Sequence, residues 1–521
     1  MLRSTFLGYK TATSALTVNQ NMLDIVGQNI SNVNTKGYTR QRLDISSVSF
    51  STKNLKFGID GVVIGQGVGA DGVSQYRDSF LDLRYRMQAA NAGGESAQLE
   101  ALSDLETVFD EVAMEGLDAQ FSDLLEQLHS LTSSTSDPVM EGVVRTSAKM
   151  LTQMFNDYSK QINTIRNQQL TYLEDGAIVK VNQLMDNIAD LNKQIKEDNI
   201  SGNPALELND ERNMLIDELS SYIDIEVDLT QVPIGGGRTV DELSIKLRDK
   251  SPEVVLIDDD EFIQLDVIEN GKDIDIYISQ NFDKSVNDPS DSSNYLTEIL
   301  DNGQLNGYIN FLNGKGDFAD LTENDNKGVQ YYSNMLDTLA NKFAEEMNAA
   351  NYDTINSEDK PLFDSRDGTS QITAGNIAIH KDWADATESY ITNTNIDIEG
   401  DTTGGTDNIL KMISLFEKKY DFNVNQIDSS IDKPLFKGTF QEFLTFSTTR
   451  LNLQVNDVET SYDIYNESQF QLDYARSSMS SVDLNEEGVN LLNYSKSYNA
   501  AARLMTTLDE MLDTLINRMA V

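Results

Sequence analysis

The 521-residue chain contains no cysteine, two histidines, one tryptophan and seven prolines. Without cysteine there is no disulfide framework, no thiolate nucleophile and no Cys/His zinc site. A histidine-based triad would have to use His129 or His380. The missing cysteine fits chance or a reducing compartment. The sharper reading is a protein exported unfolded, for which stray disulfides are a hazard. No apolar run approaches the ~18 residues of a membrane-spanning helix, which predicts no membrane insertion. Between Arg3 and Lys10 the residues form no apolar signal core, so no cleaved secretory signal is expected.

Positive charge is also scarce: 40 Lys and Arg stand against 85 Asp and Glu, a net charge of −45. Its placement matters more than its size. Residues 1–75 hold 7 basic and 4 acidic side chains, and residues 482–521 hold 3 and 6, so residues 76–481 carry the whole deficit. Nucleic acid is excluded as a partner, because binding it needs clustered Lys and Arg to displace counterions. The pattern suits an exposed, mutually repelling body between ends built for packing, or a salt-adapted or simply acidic proteome.

What is present is heptad spacing at both termini. Leu2, Tyr9, Leu16, Leu23 and Ile30 recur every seven residues, each followed three positions later by Thr5, Ala12, Asn19, Val26 and Val33. Near the other end Leu484, Leu491, Tyr498, Met505, Leu512 and Met519 recur likewise, with Glu487, Tyr494, Ala501, Leu508 and Leu515 as companions. Such a seam is buried only against another helix. Residues 2–33 and 484–519 predict two helices of about 50 Å each at about 1.5 Å per residue. Gly37 can close the first, and Asp483 with Glu486 and Glu487 can open the second. Two such helices, with Ala, Thr, Asn and Glu in their seams, bury too little to stand alone against ~1–2 kcal/mol of backbone entropy per residue. Further copies are expected to complete the packing. Asn19 is a candidate for setting register there, or else faces solvent.

The run Asn29-Ile30-Ser31-Asn32-Val33-Asn34-Thr35-Lys36-Gly37-Tyr38, followed by Thr39-Arg40-Gln41, resembles the N-terminal motif of bacterial flagellar rod, hook and hook-associated axial proteins, the hook-associated branch in particular. Its matching positions are Asn29, Asn32, Asn34, Thr35, Gly37, Tyr38, Arg40 and Gln41. Val482 to Glu487, Asn490 to Tyr494, Tyr498 to Arg503 and Leu508 to Asn517 resemble the same family. Ser495, Ser497 and Gly488 depart from its usual pattern. The likeness covers about 45 residues at the start and 40 at the end. It implies a structural adaptor of the bacterial flagellum at the hook–filament junction, polymerising through its terminal helices into a ring. It also implies the flagellar hook protein and a second hook-associated junction protein as neighbours, and an export chaperone on the C-terminal helix. The place implied is extracellular, reached without a cleaved signal peptide.

Between the ends, residues 78–222 show helical spacing, for example Leu99, Leu102, Leu105 and Phe109, with breaks at Gly93-Gly94, Asp137-Pro138 and Ser201-Gly202-Asn203-Pro204. Leu208-Asn209-Asp210-Glu211-Arg212 weakly resembles a family segment. From 224 the period becomes two, as in Ile223, Ile225, Val227 and Leu229. The expected fold is mainly α with an inserted β domain, its N- and C-terminal helices paired as a coiled coil. Residues 1–36 and 482–521 form the terminal assembly domain, and 37–77 the extended β-hairpin linker that the resemblance implies. Residues 78–223, 295–350 and 401–481 form a helical bundle body, 224–294 the inserted β domain, and 351–400 a second small β element or long loops.

Catalytic motifs are thin. Gly67-Val68-Gly69-Ala70-Asp71-Gly72 fits GxGxxG, but no helix opens at it. Asn395, Asp397, Glu399 and Gly400 resemble half of a calcium loop, yet Thr406 stands where a Glu is needed. Trp383 beside His380 reads as a core anchor. The expectation is a structural protein with no catalytic residues, cofactor or metal. The alternative is a secreted acidic binding protein, an adhesin or calcium-dependent hydrolase.

Overall fold

The computed structural model describes residues 5–48, 65, 67–111, 116–135, 137–235, 238–320, 324–395, 405–427 and 433–514. The first helix, α1 (Thr5–Ser31), lies antiparallel to the last, α12 (Leu484–Asp513). Gly8 faces Leu508 near one end of this pair and Asn29 meets Glu487 near the other. A hairpin of β1 (Gln41–Ser47) and β2 (Val68–Gln75) flanks α1, with Gln41 opposite Gln75. An added Cβ at Gly67 would fall 2.3 Å from Ser14 Oγ, so glycine there lets the strand meet the helix. The GxGxxG run therefore lies along a strand of this hairpin, not at a helix start.

The body is built on α2 (Ser79–Glu111) and the antiparallel α11 (Phe440–Ser480), which pack along their lengths. Around them stand α3 (Leu117–Thr132), α4 (Pro138–Thr171), α5 (Val179–Ser201), α6 (Leu206–Tyr222), α7 (Gln304–Asn313) and α8 (Val329–Ala350). The Asp137 carboxylate accepts from the Val139 amide (2.9 Å) to start α4, with Pro138 at its first turn. Gly202, at φ +93°, ends α5. A π-helical segment, Tyr172–Ile178, joins α4 to α5 in one rod. Phe121 stacks on Phe440 and meets Phe155, Phe343 and Phe416 edge-on in the centre.

Gly93-Gly94, expected to break a helix, lies inside α2. A Cβ at Gly93 would stand 2.1 Å from the Ser221 carbonyl oxygen, and one at Gly94 3.2 Å from that of Gly303. The pair lets backbone pass backbone; it does not end the helix.

Six strands rise from the end of α6. β3 (Ile225–Gly235), β4 (Arg238–Leu247), β5 (Val255–Asp258) and β6 (Glu261–Phe262) form one antiparallel sheet, and β7 (Gln264–Asn270) pairs with β8 (Asp273–Gln280). Asn182 on α5 holds this unit by exchanging two 2.9 Å hydrogen bonds with the backbone of Leu265. Between α8 and α11 come the short pair β9 (Phe363–Ser365) and β10 (Ile377–Ile379), α9 (Lys381–Asp385), α10 (Asp407–Glu417) and the hairpin β11 (Tyr420–Asn423) and β12 (Pro434–Gly438). That last hairpin interrupts a stretch whose spacing reads as helix. Among the described residues no helix is long and apolar enough to cross a membrane.

Candidate assembly site

The two heptad sets of α12 behave differently. Glu487 and Ala501 are buried against α1, and Tyr494 and Leu508 are half-buried. Of the other set, Met505 and Leu512 are half-buried, while Leu484, Leu491 and Tyr498 are exposed. A straight helix drifts about 20° per heptad from a seven-residue repeat. Over the four heptads from 484 to 512 the stripe therefore turns by about 80°, into the seam at one end only. Val489, Leu492, Leu504 and Met511 are exposed farther round the helix. On α1, Ala12 and Val26 are buried, Leu16, Leu23 and Ile30 half-buried and Tyr9 exposed. Asn19 turns its amide onto its own helix, donating to the Ala15 carbonyl at 2.6 Å, and among the described residues it has no hydrogen bond to α12. Leu2, Leu515 and Met519 lie outside the described residues.

The motif at the end of α1 builds the joint between this terminal pair and the body. Asn29 is 1% exposed and fully engaged. Its Oδ1 accepts from Tyr38 Oη (2.9 Å) and the Gln41 amide (3.0 Å), and its Nδ2 donates to the Gln41 carbonyl (3.0 Å) and Glu487 Oε2 (3.4 Å). Arg40 forks onto Glu487 (2.7 Å) and Glu486 (3.0 Å), while its amide donates to the Ser480 carbonyl (2.8 Å). Gln41 Nε2 donates to Glu207 on α6 (3.0 Å), and the Thr39 amide donates to Asp210 Oδ2 (2.9 Å). Burial, with Glu207, Asp210 and Glu487 adding to it, pushes the Tyr38 phenol far up, so it stays a donor. Gly37 has φ +81°, and a Cβ there would stand 2.1 Å from Met214 Sδ. Both facts require glycine. Asn32 caps the turn, accepting from Thr35 Oγ1 (3.2 Å) beside a half-buried Val33; Asn34 and Lys36 are exposed.

Just below, a network ties three helices of the body. Asp82 accepts from Arg77 (2.6 Å) and Arg476 (3.3 Å), and Asp217 from Arg86 (2.7 Å) and Arg476 (2.6 Å), with Arg476 over the Tyr85 ring. The sequence pattern marks none of Asp82, Asp217, Glu207 and Asp210 as site residues; it places Glu487 in the α12 seam and, with Glu486, at the start of that helix. Glu207 and Asp210 flank or lie in the Leu208–Arg212 segment, the one available signal.

Of the residues considered for chemistry, His380, Trp383 and Asn395 make hydrogen bonds within the fold. His129 is exposed, and His380 Nδ1 accepts from the Asp382 amide at 3.2 Å to start α9. Trp383 is buried and donates from Nε1 to Glu141 (3.0 Å). Asn395 Oδ1 accepts from the Thr354 amide (2.9 Å) and Nδ2 donates to the Tyr352 carbonyl (3.1 Å), while Asp397, Glu399 and Gly400 lie outside the described residues. Among the described residues no three His, Cys, Asp or Glu side chains gather as a metal site.

Comparison with known proteins gives the same picture from an independent direction. The family model of the flagellar hook-associated protein FlgK helical domain matches residues 102–363, half of the chain. The flagellar basal body rod FlgEFG protein C-terminal model matches 476–519, and that of the flagella basal body rod protein 10–39. Flagellar hook-associated protein 1 of Bacillus subtilis is 27% identical over 543 aligned positions, covering 100% of this chain and 99% of the relative. That of Escherichia coli is 29% identical over 229, covering 42% of this chain and 39% of the relative. A solved structure, the flagellar hook junction protein FlgK from Burkholderia pseudomallei, overlays with a TM-score of 0.43 at 19% identity, covering 54% of this chain and 46% of that one. Asn29 to Thr39 fall within one terminal match and Glu486 and Glu487 within the other, and α3 to α8 with the six strands after α6 fall within the third: the chain belongs to the flagellar hook-associated protein FlgK family.

Proposed function

We propose that the chain is a structural adaptor at the junction of flagellar hook and filament, and that it polymerises through its terminal helices into a ring. The observation that carries the assembly reading is the apolar surface left on α12 once α1 is paired: Leu484, Leu491 and Tyr498 beside the seam, with Leu492 and Leu504 farther round. Several large apolar side chains exposed along one helix are what an interaction site would present. The half-buried seam residues Leu16, Leu23, Ile30, Val33, Tyr494, Met505, Leu508 and Leu512 then complete their burial against neighbouring copies.

The joint residues Asn29, Tyr38, Arg40 and Gln41 hold the terminal pair at a set angle to the body, whose acidity faces outward and discourages lateral sticking. The hook protein is the neighbour on one side and a second junction protein on the other. An export chaperone covers the α12 face before secretion, and the cysteine-free chain suits passage in an unfolded state. Family membership displaces the alternative of a secreted adhesin or calcium-dependent hydrolase.

Electron microscopy of a bacterium lacking the chain tests the role. Hooks without filaments, and unassembled filament subunits in the medium, are expected; normal filaments would overturn it.

A further inference from the structure

Beneath the 34–38 turn lies a cleft of about 820 Å³, walled by the root of the terminal pair on one side and by α2, α6 and α11 on the other. Its charge is unbalanced: Asp78, Asp82, Asp210, Asp217, Glu218 and Asp473 line it against Lys36, Arg77 and Arg476. Four of these acids are paired within the chain, Asp82, Asp217 and Asp473 with Arg476 and Glu218 with Lys180. Asp78 Oδ1 accepts from the Phe80 amide (2.9 Å).

Asp210 differs. It is 5% exposed, its Oδ2 accepts from the Thr39 amide, its Oδ1 has no hydrogen-bond partner, and among the described residues it forms no ion pair. Burial raises its pKa, with hydrogen bonding from Thr39, the charge of Arg77 and the nearby Gln75 side chain opposing. A desolvated carboxylate oxygen without a donor is costly, and a cationic donor is what satisfies it best. A bound metal fits poorly, since no three potential ligands converge among the described residues.

The converse holds along the terminal helices and the turn that follows α1. Lys10, Lys36, Lys496 and Arg503 are exposed and form no ion pair among the described residues. In the body, by contrast, Lys196, Lys246 and Lys342 each hold two carboxylates. Lys10 lies 19 positions before Asn29 in the sequence, so about 28 Å of helix separates it from the root of its own chain. It can reach such a cleft only on another molecule.

We infer that the cleft receives a basic side chain from the terminal pair of a second copy of this chain, Lys10, Lys496 or Arg503, with Asp210 as its counter-ion. This rests on the assembly reading and names the surface through which one copy grips the next.

The test uses the full chain, assembled by raising concentration and followed by sedimentation at about 0.05 and 0.5 M salt, where screening differs strongly. Asp210→Asn keeps the acceptor for the Thr39 amide and removes the charge. It is expected to leave the circular dichroism of the monomer unchanged, to weaken assembly about tenfold, and to flatten its salt dependence. Lys10→Glu with Lys496→Glu, both on the exposed surface, is expected to weaken assembly in the same way.

Carbodiimide coupling of mixed ¹⁴N and ¹⁵N protein is expected to join a cleft carboxylate of one copy to Lys10 or Lys496 of another. Wild-type assembly by Asp210→Asn, or cross-links confined to other carboxylates, overturns the inference and leaves the assembly reading standing. A wild-type chain that stays monomeric at every concentration overturns both.

Discussion

The body and the terminal pair are both mostly helical, yet they are stabilised in different ways. In the body one continuous apolar core runs from Ala101 on α2 to Val458 on α11, and among the described residues it includes none of α1 or α12. The terminal pair buries little more than Ala12, Val18, Val26 and Ala501 among its apolar side chains, with Asn29 and Glu487 in the same interior. It meets the body through hydrogen bonds at Thr39, Arg40 and Gln41. The body is thus a folded unit in a single copy. The terminal pair carries half a core and a polar root, and on the assembly reading proposed above the remainder of its stability comes from other molecules.

The sharpest way to break this contrast is to attack each region's own support. Phe343 is fully buried at the aromatic centre. Phe343→Ala is expected to cost ~3–5 kcal/mol in the urea transition of the body; a loss below ~1 kcal/mol would mean the centre is loosely packed. Arg40→Met strands the Glu487 carboxylate, whose side chain is 2% exposed. Leaving such a charge unpaired costs ~3 kcal/mol, which is expected to speed amide exchange in α1 and α12 about a hundredfold while the urea midpoint of the body stays put. A matching loss in the body would show that the two regions unfold as one.

Asp337 on α8 gives the body a pH signature. Burial raises its carboxyl from the ordinary 3.8 to about 6, against the Ala374 amide it accepts from at 2.8 Å. The folded state therefore holds the proton more tightly than the unfolded one. The cost is present above pH 6 and is relieved as pH falls from about 6 towards 4. Asp337→Asn is expected to stabilise the body by ~3 kcal/mol at pH 7 and by less than ~1 kcal/mol at pH 4; an equal gain at both pH values would assign it to packing instead. The smallest effect on the monomer is expected from Leu492→Ser on the outer side of α12, where the leucine is 61% exposed. Stability should move by less than ~0.5 kcal/mol while self-association in sedimentation weakens. Unchanged association would remove that side from the interface.

The terminal helices were legible in the sequence because apolar residues repeating every seven positions are buried only against another helix. Which residues face the partner was not, because the helix drifts out of step with the repeat and carries Leu484 and Leu491 out of the seam. The motif residues were legible by resemblance, but their bonds were not, since Asn29 and Glu487 stand 458 positions apart. Periodicity reports which side of an element is apolar and says nothing of which polar groups meet. Gly93-Gly94 misled because glycine permits a break and close helix contact alike, and only the neighbouring carbonyls of Ser221 and Gly303 decide between them. The β11–β12 hairpin was missed because Tyr420, Phe422 and Phe436 lie between two strong helical stretches.

The difference in stability between the two regions of one molecule is measured most directly by hydrogen exchange of the monomeric full chain, amide by amide. Exchange in α1 and α12 that is complete while α2, α4 and α11 remain protected, together with protection gained in the terminal helices on assembly, is the predicted result. Protection of α1 and α12 equal to that of α2 and α11 in the monomer would contradict it.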